Sequence, residues 1–357
     1  MRKQSLEFLE KLVNTPSPCS RELRGQKVWK EYVEKYADEV DSDDYGNVVA
    51  RLNPGAKLKI VLAGHADEIT MTVSYVTEKG YIYVRKIGGI NPGIMPAQRV
   101  VIHSSNGPVY GVVGCVAPHL SKGDASANKP PKISDLFIDI GASSKQEALK
   151  IIQIGDMITV DENFKQLNED IAVARAFDNR TGTFSVAEAL RILSENKQKL
   201  EVEVCAVSNI MEEVGCLGIR QIGYHLNPDV AIITDVTHAT DYPTVSKEAH
   251  GEIYLGEGPT LTMGGGNHQV VLERLREVAD KAKIPHQLEA SSNTSGTDLD
   301  ALFWTRGGIP CGLISLPNRY MHSPVEMIHL GDLELVCQWM AEFALSLDSQ
   351  STFKMKI

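Results

Sequence analysis

The sequence predicts an α/β protein in which a small all-β domain interrupts a sheet flanked by helices. Two changes of texture along the chain carry this reading. After Arg175, apolar runs alternate with helical stretches, the rhythm of a sheet covered by helices. Between roughly Ile69 and Phe164, short alternating runs are punctuated by turn residues, and helical periodicity is nearly absent until Ser143. The length agrees, since 357 residues exceed the roughly 100–200 of one ordinary domain.

Taken in order, the first 36 residues predict two helices. Leu6, Leu9 and Val13 recur at helical spacing, Pro16 and Pro18 interrupt, and Ser20 is placed to cap a second helix running through Tyr36. Short β-rich runs follow at Asn47–Leu52 and Lys59–Leu62, separated by Asn53-Pro54-Gly55. The β insertion is read as strands over Met71–Val76, Tyr81–Lys86, Val100–His103 and Val109–Val116, with turns at Glu78-Lys79-Gly80 and Asn106-Gly107-Pro108. Lys122–Lys132, rich in Gly, Ser, Asn and Pro, reads as a surface loop. Beyond Arg175, helices are expected over Thr181–Asn196, His268–Lys283 and Leu333–Leu347. Strands are expected at Glu203–Val207, Val230–Thr234 and Cys311–Leu316.

Composition narrows the function. Hydrophobic residues at 43% and charged residues at 23% are those of a soluble globular protein able to bury a core without staples. A net charge of -10 argues against a nucleic acid or an anionic membrane as partner. The six cysteines are scattered with no CxxC pair, which suits buried free thiols in a reducing compartment. Met1-Arg-Lys-Gln-Ser-Leu6 lacks the apolar core of a signal peptide, and no run reaches the ~18–20 apolar residues of a membrane span. A cytoplasmic protein is expected.

The chemistry gathers where apolar runs end. Ile60-Val-Leu-Ala-Gly64 leads into His65-Ala-Asp67, and Val202–Val207 leads, after four residues, into Glu212-Glu213. Val230–Thr234 ends in Asp235, and Gly312–Leu316 leads into Arg319-Tyr-Met-His322. Asp178 stands just before a predicted helix. Open α/β sheets collect ligands outside the carboxyl ends of their strands, so these residues form one candidate constellation. Singly, each has a bland explanation. His65 alone reads as a hydrogen-bonded structural residue, Asp178 as a helix cap, Asp235 as a turn residue and Glu212-Glu213 as a solvated helix start. Together they supply the ligand types of one two-metal site. Two divalent cations bring about +4, which Asp178, Glu213 and Asp235 with a bridging hydroxide offset, while His65 and His322 complete the shells. Glu212 is then free to take a proton, and Asp67 is placed to orient the His65 ring through a hydrogen bond.

These motifs resemble a known family. Gly64-His-Ala-Asp-Glu68, Asp178-Asn-Arg-Thr-Gly182, Glu212-Glu-Val-Gly215, Asp235 and Arg319-Tyr-Met-His-Ser-Pro-Val-Glu326 are similar to the M42 metallo-aminopeptidases, which include glutamyl, leucyl and lysyl aminopeptidases and the tetrahedral TET peptidases. Ile138–Ser144 and Ser295-Gly-Thr-Asp298 extend the resemblance over essentially the whole chain, while Ala66 and Thr70 depart from the usual Met and Gly. The resemblance implies an α/β/α sandwich with a mixed, zinc-peptidase-like sheet over 1–68 and 167–357. A small β-barrel over 69–166 would be the lid and dimerisation domain. It implies Asp178 as bridging carboxylate, His65 and Asp235 on one metal, Glu213 and His322 on the other, and Glu212 as catalytic base. Zinc or cobalt, peptide substrates, and assembly from a dimer to a tetrahedral dodecamer follow from the same resemblance.

The expected reaction removes single N-terminal residues from peptides, with Glu212 passing the proton of water to the leaving amine. Asp298 is a candidate for the first-residue pocket, or else a helix cap before Leu299. Rival readings are a carboxypeptidase or deacylase on the same scaffold, a metal-independent polysaccharide hydrolase, and a non-enzymatic scaffold.

Overall fold

The computed structural model describes residues 1–117, 119–120 and 129–356. Of the loop expected over 122–132, residues 122–128 lie outside them. Along the chain, β1 (Glu39–Ser42), β2 (Val48–Leu52) and β3 (Lys59–His65) come first. Six short strands follow: β4 (Thr70–Val76), β5 (Ile82–Ile87), β6 (Arg99–Ser104), β7 (Gly107–Val113), β8 (Phe137–Asp139) and β9 (Met157–Val160). The rest are β10 (Lys165–Gln166), β11 (Ile171–Ala174), β12 (Glu203–Asn209), β13 (Val230–His238), β14 (Thr260–Gly264), β15 (Gln287–Ser291), β16 (Cys311–Asn318) and β17 (Glu326–His329).

Eight of these form one mixed sheet in the order β1-β2-β12-β3-β13-β16-β14-β15. Its centre is parallel: β12 and β13 flank β3, and β16 runs parallel to β13. Parallel strands are covered on both faces and therefore read as unbroken apolar runs. All seven residues of β12 are buried accordingly. On one face, helices Lys3–Asn14, Leu23–Val33, Phe177–Glu195, Gln269–Ala282 and Leu330–Leu345 bring Leu9, Trp29, Phe184, Leu275 and Trp339 into the main core. On the other, Ile219, Ile222, Leu299 and Leu302 pack from helices Leu217–Leu226 and Leu299–Leu302. Each fully buried Leu, Ile or Phe contributes roughly 1.5–3 kcal/mol of transfer free energy to this α/β/α sandwich.

The second body is a closed barrel, β4-β5-β8-β7-β6-β9, with β9 pairing back onto β4. Its interior holds Met71, Val84, Ile102, Ile138 and Ile158. A third, small sheet, β10-β11-β17, links the return from the barrel to the strand after His322. Among the described residues no helix is long and apolar enough to cross a membrane.

Several local expectations need correction. Ser20 does not cap the second helix: it takes a left-handed φ of 70°, and Glu22 precedes the helix, which starts at Leu23 and stops at Val33 rather than Tyr36. Glu22 instead accepts the backbone N–H of Ser20 at 2.7 Å, which spends the local capping group outside the helix. The long helix spans Phe177–Glu195 but carries non-helical backbone at Asp178 and Asn179, so its regular turns start beside the expected Thr181. Gly64 permits its approach to β3, and Gly182 leaves room for the Asn179 side chain at its kink. A Cβ on Gly64 would lie 2.6 Å from the carbonyl carbon of Gly182, and one on Gly182 would lie 2.3 Å from Asn179 Oδ1. The helix can therefore sit directly against the strand end that carries His65.

Candidate metal centre

The sheet's order brings the chemistry together. His65 is the last residue of β3, Asp235 lies within β13 beside it, and the turn after β12 carries Glu212 and Glu213. Asp178 enters from the kinked start of its helix, and His322 from the loop between β16 and β17. The bland readings do not hold. Asp178 makes no helix cap, Asp235 is in a strand that runs on to His238, and the next helix begins only at Leu217.

Asp178 stands between the two imidazoles: its Oδ1 is 3.3 Å from His65 Nε2 and its Oδ2 is 3.1 Å from His322 Nε2. His65 Nε2 also faces Glu212 Oε2 at 3.7 Å and Asp235 Oδ1 at 3.9 Å, and His322 Nε2 faces Glu213 Oε1 at 3.6 Å. Two groups result, His65–Asp178–Asp235 and Asp178–Glu213–His322, each with ligand atoms within 4.8 Å of one another and Asp178 common to both.

The arrangement fits cations better than hydrogen bonding. One imidazole nitrogen cannot satisfy three carboxylates, and Glu213 Oε1 is buried with no hydrogen-bond partner among the described residues. Bonds of ~2.0–2.2 Å from a divalent ion to His or carboxylate place neighbouring ligands at about these separations. Electrostatics agree. Burial and the charge of Asp178 push Glu213 well above the usual carboxylate range. Burial raises Asp235 in the same way, against the pull of His65 and with the charge of Asp178 adding to it. Burial opposes ionisation of Asp178 too, but His322 and His65 outweigh it and hold that carboxyl low. Burial alone would lower His65, yet Glu212, Asp178 and Asp67 raise it well above the ordinary histidine value. A negative, water-poor pocket of this kind is relieved by bound divalent cations.

A second layer holds these side chains. Asp67 accepts the backbone N–H of Glu212 at 3.0 Å and of Glu213 at 3.1 Å, one on each oxygen. Its Oδ1 lies 3.2 Å from His65 Nδ1, though off the line of a hydrogen bond, so its firm partners are the two backbone groups. Glu326 does the same elsewhere, accepting the N–H of Asp178 at 2.8 Å and of His322 at 2.9 Å. Burial and Asp178 push Glu326 up to about 8. Sequence reasoning quoted Glu326 in a motif but gave it no role, and its spacing four residues after His322 was the only signal. Asn179 was missed as well: it donates to the Thr234 carbonyl at 2.9 Å and accepts from Gly182 at 2.8 Å, pinning the kink to β13. Ala176, Met211, Tyr320 and His322 adopt left-handed φ values of 54–61° around the centre, conformations that cost of order 1 kcal/mol each for non-glycine residues.

Asp298 lies apart from the ligand groups. It is 1% exposed and precedes helix Leu299–Leu302 without a side-chain cap. Asn209 donates to its Oδ2 at 2.6 Å, and burial with the charge of Glu212 pushes it up to about 8. An open cleft of about 620 Å³ borders the centre, lined by His65, Glu212, Asp235, Glu289, Thr297 and His322. The loop after β5 reaches the same place: Gly89 lines the cleft, and a Cβ on it would fall 2.4 Å from His322 Nδ1.

Comparison with known proteins bears on the whole chain. Residues 46–338 match the family model described as M42 glutamyl aminopeptidase. A lysyl aminopeptidase of Pyrococcus furiosus is 32% identical over 330 residues, covering 92% of this chain and 93% of that one. The crystal structure of a TET aminopeptidase from Thaumarchaeota archaeon SCGC AB-539-E09 superposes with a TM-score of 0.91 at 32% identity, covering 97% of each chain. A TET1 peptidase of Pyrococcus horikoshii, reported to assemble into a tetrahedron or a large octahedral shell, gives a TM-score of 0.86 at 28% identity over 96% of this chain and 100% of that one.

Proposed function

Since this chain belongs to the M42 family of aminopeptidases, we propose that it is a two-metal enzyme removing single N-terminal residues from peptides, with Glu212 as general base. The observation that carries this reading is the position of Asp178 between His65 and His322, with Asp235 and Glu213 completing a ligand group on either side. His65, Asp178 and Asp235 would hold one divalent cation, zinc or cobalt, and Asp178, Glu213 and His322 the other. When bound, such ions polarise the scissile carbonyl and ease the ionisation of water at neutral pH.

The chain's own residues do the rest. Glu212 is free of the two ligand groups, and the hydrogen bond from its backbone N–H to Asp67 fixes where its carboxylate stands. It accepts a proton from the attacking water and returns it to the leaving amine. Burial raises the Glu212 carboxyl, opposed by His65 and reinforced by Asp178, in the direction a base that must later act as an acid requires. The remaining carboxylate density favours a free α-amino group at the substrate's N-terminus, which restricts cutting to the first residue. Asp298, held by the Asn209 amide near Glu212, would contribute to that first-residue pocket.

We divide the chain as 1–68 and 167–357 for catalysis and 69–166 for a lid that also serves assembly. The barrel exposes Tyr110, Val112, Ile151 and Ile154, and the assembly of the Pyrococcus horikoshii relative supports a homo-oligomer from dimer to dodecamer. The free cysteines suit a cytoplasmic setting.

The test is hydrolysis of a panel of aminoacyl-p-nitroanilides by apoprotein, with zinc or cobalt added back, beside Glu212→Gln. Metal-dependent release that falls by about 10²–10⁴ in Glu212→Gln is expected. No release under either metal, from folded protein with metal bound, would overturn the reading.

A further inference from the structure

On the side of Glu212 turned away from His65 lies another group of ligand-type atoms. Glu212 Oε2 faces His65, whereas its Oε1 is 3.5 Å from Cys216 Sγ, and the same sulfur is 3.5 Å from the Thr297 carbonyl oxygen. Ligand atoms of Glu212, Cys216 and Asp298 all lie within 4.8 Å of one another. Zinc binds sulfur at ~2.3 Å and carboxylate at ~2.0–2.2 Å, so two such ligands at a tetrahedral angle stand about 3.5 Å apart.

Asp298 supplies the independent observation. It is 1% exposed; Asn209 occupies its Oδ2, but its Oδ1 is buried with no hydrogen-bond partner among the described residues. A thiol hydrogen bond from Cys216 to Glu212 would explain that one contact and leave Oδ1 unexplained. A cation held by this group would give the buried carboxylate a partner, and the Asn209 amide is placed to orient that carboxylate as an outer-layer partner does in metal sites. Cys216 also lines the open cleft, which gives an ion a way in.

We propose that Glu212, Cys216, Asp298 and the Thr297 carbonyl form an inhibitory site for a thiophilic divalent cation, zinc or cadmium, separate from the two catalytic groups. Binding exchanges the thiol proton for the metal: the S–H bond breaks, the sulfur keeps its electron pair and donates it to the cation, and the proton leaves to buffer. Inhibition follows because Glu212 Oε1 is tied to the ion, a consequence that rests on Glu212 being the base. The binding itself does not rest on it.

The experiment uses full-length protein with its catalytic metals loaded and a Cys115→Ser background, since Cys115 is the exposed thiol among the six cysteines. Cadmium is titrated while the ultraviolet thiolate-to-cadmium charge-transfer band, bound-metal stoichiometry and peptidase rate are followed. One further equivalent, a thiolate band, protection of Cys216 from iodoacetamide and loss of activity are expected. Cys216→Ser should abolish the band and raise the inhibitory cadmium or zinc concentration at least tenfold. Absence of the band, with inhibition unchanged in Cys216→Ser, would overturn the site. Should that variant not fold, the band and the alkylation protection in the parent decide alone. A parent that shows the band but no peptidase activity keeps this site and sinks the proposed reaction instead.

Discussion

Glu326 holds Asp178 by its backbone rather than by its side chain: Oε2 accepts the Asp178 N–H at 2.8 Å. Its other oxygen holds the N–H of His322 at 2.9 Å, so one carboxylate sets the spacing of two candidate ligands. Glu326→Gln keeps one acceptor and turns an amide donor toward the other N–H. Metal affinity is expected to fall about 10–100-fold, the usual cost of losing such a support, with activity recovered at saturating metal. Equilibrium dialysis beside rates at rising metal concentration checks this.

Gly64→Ala tests the contact between β3 and the long helix. The added Cβ meets the Gly182 carbonyl carbon at 2.6 Å and the Thr183 nitrogen at 2.9 Å, both backbone atoms with no rotamer to yield. Destabilisation of about 1–3 kcal/mol is expected. Separation of His65 from Asp178 should lower metal affinity in parallel. Urea unfolding and metal titration of the same variant give both numbers.

Stripping divalent cations with a chelator is expected to abolish peptidase activity and lower Tm, because carboxylates gathered at one point then repel. An ion present at 100 times its Kd stabilises by about 2.7 kcal/mol, which sets the scale of the drop. Calorimetry with and without chelator, followed by zinc or cobalt restoration, measures it. An unchanged Tm would argue against a filled centre.

His103, in barrel strand β6, predicts a pH effect. Burial lowers it to about 4, against Glu68 and with Arg24 and Arg175, while its Nε2 stays 2.9 Å from Thr159 Oγ1. The folded state therefore keeps this ring neutral where the unfolded chain, with a histidine near 6.5, takes up a proton. Stability from this source is whole above about pH 6.5 and is lost as pH falls toward about 4. His103→Gln should flatten the decline in Tm between pH 7.5 and 4.5, with roughly 2.5 kcal/mol at stake across that window.

The sequence and the fold can be compared residue by residue. His65, Glu212-Glu213 and His322 were legible because each follows an apolar run, and strand ends converge in a parallel sheet. Asp235 was found for the same reason although its strand continues to His238. The texture of the insertion was legible too, since alternation in short runs needs no long-range information. Its closure came only through the family resemblance, because β9 meets β4 across more than eighty residues of chain and no local pattern encodes that pairing. The place of β12 between β2 and β3 was hidden likewise. Asn179 escaped because a side chain that bonds to backbone leaves no trace in residue spacing, and Glu326 left only its position four residues after His322. Ser20 misled for the converse reason: a good capping residue is equally at home in a left-handed turn.

The buried Glu68–Arg175 ion pair joins the stretch just before β4 to the stretch just after β11. Arg180 reaches the same carboxylate at 3.1 Å, from the helix that carries Asp178. The whole barrel thus grows from a clasped stem, like a graft on rootstock. The barrel comes back to the candidate ligands where the loop at Gly88 and Gly89 approaches Glu213 and His322. A barrel transplanted at this stem from a relative is expected to leave the candidate centre below it as it stands.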